Sequence, residues 1–133
     1  MQLPAFITID LNAFEDACLS FISLVRAPIK PGGSILDPEF AEQIDEAVDR
    51  FGRWVSDRFD MEPTIRYALA WLLNLDEARF AETVGRMDIH FPVHGDFGTM
   101  RKFFELLWDG TFADWRVRRF DPDEYPIKGL RSA

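Results

Sequence analysis

The sequence predicts a mainly α-helical protein: about five helices around one aromatic-rich core, with two or three short strands that would make it α+β if they pair. Three observations carry this. Hydrophobic residues make up 47% of the chain and include 13 Phe and 4 Trp, enough for a dense core. Apolar residues recur at three- and four-residue steps in several stretches, most of them bounded by capping residues, Gly or Pro. The length, 133 residues, suits one domain that buries about two thirds of its unfolded surface without disulfides or metal. Residues 1–133 therefore read as a single domain, with 121–133, which holds Pro122, Pro126 and Gly129, as an irregular C-terminal tail.

Taken in order, Phe6 to Ile9 are β-formers and predict a short strand. Asn12 with Glu15 matches a capping box, and Phe14, Ala17, Cys18, Phe21, Ile22 and Val25 then repeat at helical spacing up to Arg26, before Pro28. The stretch 28–33 is a connector. Asp37 is a good N-cap for the next helix, with Pro38 at its first position. Its apolar residues, from Phe40 through Ile44, Ala47, Val48, Phe51, Trp54 and Val55 to Phe59, share one sector at 100° per residue. Gly52 lowers helix propensity there by about 1 kcal/mol, which packing must offset.

After Pro63 a third helix runs through Ile65, Ala68, Leu69, Leu72 and Leu73, broadened by Ala70 and Trp71 into the most buried element of the chain. Asp76 caps a fourth helix with Ala78, Ala81 and Val84, and the tight Asn74-Leu75 turn predicts that it packs antiparallel to the third. Residues 88–94 alternate polar and apolar around Pro92 and predict a strand. A fifth helix takes Asp96 or Thr99 as cap, Phe103, Phe104, Leu107 and Trp108 as core, and Gly110 as its stop. Residues 115–120 alternate like a last strand, although Thr111 with Asp114 resembles a further capping box.

Charge is concentrated. The chain carries −8 in all, and residues 37–62, with nine acidic and three basic side chains, hold six of those charges. On the helical wheel the outer sector of this segment contains Glu42, Asp45, Glu46, Asp49, Arg53 and Asp57. Such a face keeps a protein soluble, or it steers and docks a basic partner. Crowding Glu42, Asp45, Glu46 and Asp49 at three- and four-residue spacings costs local stability, which favours the docking reading. The net charge disfavours wrapping of nucleic-acid phosphate. The basic-aromatic cluster Trp115, Arg116, Arg118, Arg119 and Phe120 is balanced by Asp114, Asp121, Asp123 and Glu124 around it.

Catalytic signals are sparse. Both histidines fall in the window Asp88, His90, His94, Asp96, where an extended backbone sets all four on one side and Ile89, Phe91 and Val93 on the other. These four are the metal-ligand candidates, yet the two imidazoles stand roughly 13 Å apart along an ideal strand, so one ion requires a bend at Pro92 or Gly95. Asp96-Phe97-Gly98 spells a kinase tripeptide in a chain far too short for a kinase, and Gly32-Gly33-Ser34 lacks a following Lys for phosphate. Cys18 lies on an apolar helix face and has no partner for a disulfide. The opening residues Met1 to Phe6 lack the basic start of a signal peptide, and no apolar run reaches the ~18 residues of a membrane span.

The resulting expectation is a small acidic, non-enzymatic, cytoplasmic protein-binding module that needs no cofactor. It would be an inhibitor or immunity-type protein whose acidic helix meets a basic partner such as a nuclease toxin. Two alternatives are a small metal-dependent enzyme using Asp88, His90, His94 and Asp96, and a structural or assembly adaptor subunit.

Overall fold

The computed structural model describes residues 7–21, 38, 41–87, 97–113 and 120–128. Among them are two short strands, β1 (Ile9–Asp10) and β2 (Ile127–Lys128), and five helices: α1 (Leu11–Leu19), α2 (Ala41–Ser56), α3 (Glu62–Leu73), α4 (Glu77–Arg86) and α5 (Phe97–Thr111). The mainly helical class with a small sheet and an aromatic core is thus the observed one.

Aromatic rings knit the helices together. Phe14 of α1 meets Phe51 of α2 and Phe104 of α5 edge-on, at centroid separations of 6.0 and 5.0 Å. Phe80 of α4 reaches the same Phe104 at 5.6 Å, and Phe21 reaches Phe103 at 5.5 Å. Helix α3 lies at the centre, packed against α1, α2, α5 and β1. Its residues Ile65, Ala68, Leu69, Ala70, Trp71 and Leu72 are all buried, as its broad apolar face predicts.

The local signals fare unevenly. Asp76 caps α4 as expected, accepting from the Arg79 N–H at 2.8 Å, and Pro63 sits in the first turn of α3. Helix α1 is capped by Asp10 rather than Asn12: its Oδ1 accepts from the N–H groups of Asn12 and Ala13. Asp10 is extended because it ends β1, so the strand passes straight into the helix and Asn12 is already inside the first turn. The buried side of α4 is Phe80, Thr83 and Val84, with Met87 just beyond, while Ala78 is exposed. Nor does α4 pack back along α3; it packs on α5, where the Arg101 guanidinium donates to the carbonyls of Leu73 and Leu75 at 2.8 and 2.7 Å and so closes the end of α3.

Gly110 does not stop α5, which continues through Thr111. A Cβ at Gly110 would stand 2.3 Å from Val48 Cγ1, so the glycine is there for the close crossing of α2 and α5. Thr99 lies inside the helix rather than capping it. Phe59 leaves the apolar sector altogether: α2 ends at Ser56, the chain turns, and the ring is 83% exposed. Pro63, whose missing N–H is harmless in a first turn, marks the start of the next helix.

Residues 122–128, expected to be irregular, are ordered by specific partners. They hold a 3-10 turn, Pro122–Glu124, and β2, which runs parallel to β1 with Ile9 opposite Ile127. Trp71 Nε1 donates to the Pro122 carbonyl at 3.0 Å, Asn74 Oδ1 accepts from the Phe120 N–H at 3.1 Å, and Arg79 pairs with Asp123 at 2.8 Å. The strand expected at 88–94, residues 115–119 of the strand expected at 115–120, the cap Asp37, and the first helix beyond Phe21 lie outside the described residues; Phe120 itself is not in a strand.

Candidate functional site on the outer face of the second helix

The outer sector of α2 is where the sequence places it. Glu42, Asp45, Glu46, Asp49, Arg53 and Asp57 are all exposed, while Ile44, Ala47, Phe51 and Val55 face the core. The helix is amphipathic because its apolar residues fall at four-residue and three-residue steps, leaving the intervening positions to water.

The face is more divided than its composition suggests. Arg50 approaches Glu46 at 3.5 Å, and Arg53 binds Asp49 through both Nε and Nη2. Each pair spans one helical turn in the open, where such bridges contribute little and exchange readily. Among the described residues no cation pairs with Glu42, Asp45 or Asp57. The N-terminal half of the outer sector is therefore purely acidic, and the arginines gather in the C-terminal half and just beyond.

Among the described residues, open grooves lie on either flank of the helix. One, of about 390 Å³, lies along the α2–α5 crossing, with Asp45 and Asp49 on its rim and Gly52, Gly110 and Thr111 along it. The other, of about 400 Å³, lies on the opposite flank and is lined by Ser20, Arg50, Arg53, Trp54, Asp57 and Arg58. Arg58 is held in the second groove: its guanidinium stacks over the Trp54 ring at 3.9 Å and its Nη1 donates to the Trp54 carbonyl at 3.2 Å. Sequence reading did not single this column out, although Arg50, Trp54 and Arg58 recur every fourth residue, which is the signal that finds it.

Asp88, His90, His94 and Asp96 lie outside the described residues, as do Trp115, Arg116, Arg118 and Arg119. Among the described residues no three His, Cys, Asp or Glu side chains are grouped to hold a metal ion, and no helix is long and apolar enough to cross a membrane. Cys18 is buried in the core; desolvation, then the nearby Glu15 carboxylate, raises its thiol pKa well above the ordinary value, so at neutral pH it is a protonated apolar filler and not a nucleophile. Arg79 and Arg101 are taken up in holding the fold. Compared with protein-family models, with curated proteins and with solved structures, the chain matches none.

Proposed function

We propose that the chain is a small non-enzymatic protein-binding module that docks the outer face of α2 on a basic protein, acting in the cytoplasm. A cationic nucleic-acid-binding surface, such as that of a nuclease toxin, is the partner this chemistry suits best, and an inhibitor or immunity-type protein is the role. One observation supports the reading: Glu42, Asp45, Glu46 and Asp49 stand exposed along one helix face, and among the described residues no cation pairs with Glu42 or Asp45. A one-signed patch on a rigid helix attracts a cationic surface over about a Debye length, roughly 8 Å at physiological salt, and accelerates encounter.

The test is the variant E42K/D45K/E46K/D49K, checked by circular dichroism for an intact fold. Its association rate is measured against the protein that co-elutes with the native chain in purification from its source cell. At low salt the rate should fall about 100-fold and its dependence on ionic strength should vanish. An unchanged rate overturns the reading.

A further inference from the structure

We propose that the flank of α2 centred on Trp54 is a second binding groove, built for an acidic peptide segment that sets two carboxylates on either side of an apolar side chain. The outline of the ligand follows from the column Arg50, Trp54, Arg58. At 1.5 Å rise per residue the two arginines are roughly 12 Å apart along the helix direction, and an extended peptide covers that span in about four residues. Trp54 lies between them, half-buried, with its indole in reach of an apolar side chain.

Arg58 is the organised end of the groove. Stacking on the indole at 3.9 Å and bonding to the Trp54 carbonyl fix the guanidinium before any ligand arrives, so little side-chain entropy is lost when it chelates a carboxylate. Arg50 is the adaptable end, since its 3.5 Å bridge to Glu46 is exposed and can be exchanged for a ligand carboxylate. Arg53 adds charge at the rim while remaining on Asp49. Among the described residues Asp57 is the one anion lining the groove, and its repulsion limits how strongly any acidic segment binds.

Two exposed apolar side chains lie next in the chain to residues that line the groove. Leu19 and Phe59, the chain neighbours of Ser20 and Arg58, are the two most exposed large hydrophobic side chains among the described residues, at 60% and 83%. Trp and Arg are the residues on which protein interfaces concentrate their affinity. This groove shares neither its sign nor its central residues with the acidic half of α2, so the two proposals stand or fall separately.

Calorimetric titration of the full chain decides it, with a blocked peptide carrying two glutamates four positions apart and a leucine midway as probe. Binding should weaken about tenfold in Arg58→Ala and in Arg50→Ala, each first shown by circular dichroism to be folded. Asp57→Asn should strengthen it about threefold by removing the opposing charge. E42K/D45K should leave it within about twofold, because those residues lie on the other half of the face. Equal binding of the same peptide with lysines for glutamates, equal binding of inorganic phosphate, or no loss in Arg58→Ala overturns the proposal. So does a dimer in light scattering at the titration concentration, which would give the groove to the acidic helix of a second copy.

Discussion

Helices α2 and α3 follow one another in the chain, and they could hardly be used more differently. In α3 seven of twelve residues are buried, and even Arg66 is enclosed beside its Glu62 partner. In α2 four of sixteen are buried, and the outer sector belongs to charged groups in water. Helix α3 organises everything around it; α2 closes the core with one side and shows a patterned surface with the other. Stability therefore resides in α3 and its contacts, while the exposed side of α2 is free to vary.

The largest effect should come from the centre. Leu69→Ala removes a fully buried side chain from the helix that touches α1, α2, α5 and β1, and it should cost about 2–5 kcal/mol by urea unfolding. A cost below about 1 kcal/mol would mean that α3 is not the organising element, and the contrast with α2 would collapse.

The α2–α5 crossing gives the next largest effect and a test by sign. In Gly110→Ala the new methyl would meet Val48 Cγ1 at 2.3 Å; Val is branched at Cβ and cannot swing clear, so overpacking should cost about 1–3 kcal/mol. Gly52→Ala meets only Thr111 Oγ1, at 3.4 Å, an ordinary contact, and the helix gains up to about 1 kcal/mol of propensity. Thermal melts of the two single variants should therefore move in opposite directions. Two glycines that look alike in sequence serve different ends: one permits close packing and the other is replaceable.

That pair shows how far the sequence could be read. Long periodic stretches were legible, because a helix that buries one side must repeat its apolar residues: Ile44, Ala47, Phe51 and Val55 of α2 announce themselves, and so does Asp76 as a cap. Gly110 was misread as a stop because a helix end and a close helix crossing both call for glycine, and only the neighbour across the gap distinguishes them. Phe59 continues the period on paper, yet α2 ends three residues before it and the chain turns, which exposes it. Strand β2 has two residues and no period at all; it is held by β1, and the segment before it by Trp71 and Asn74, each distant in sequence. Of the candidate site, the exposure of Glu42 to Asp57 was legible and its division was not. The Arg50–Glu46 and Arg53–Asp49 bridges split it into an acidic half and a cationic, tryptophan-centred half.

Asn74 tests how the C-terminal segment depends on α3. Its amide donates to the Ala70 carbonyl at 2.9 Å and accepts from the Phe120 N–H, so one side chain both finishes the helix and holds the segment. Asn74→Ala should cost about 1–2 kcal/mol and speed amide exchange at Phe120, while leaving exchange inside α2 unchanged. Equal acceleration in both places would show that the segment is not held locally through α3.

The smallest effects belong to the outer face of α2, and their sign carries the argument. Asp45 faces two like charges at helical spacing, Glu42 three residues before it and Asp49 four after, so Asp45→Asn should stabilise the fold slightly, by about 0.2–0.5 kcal/mol. Glu42 lies in the first turn, where the positive end of the helix dipole favours it, so in Glu42→Gln the relief of repulsion is offset and the net change should be close to zero. Both shifts should fade in 1 M salt, where the Debye length drops to about 3 Å. A destabilisation above about 1 kcal/mol in either variant would mean that these carboxylates are holding the fold, and the division of labour between α2 and α3 would have to be given up. Stability that stays put while a cationic partner's association rate falls is the combination that a surface kept for binding requires.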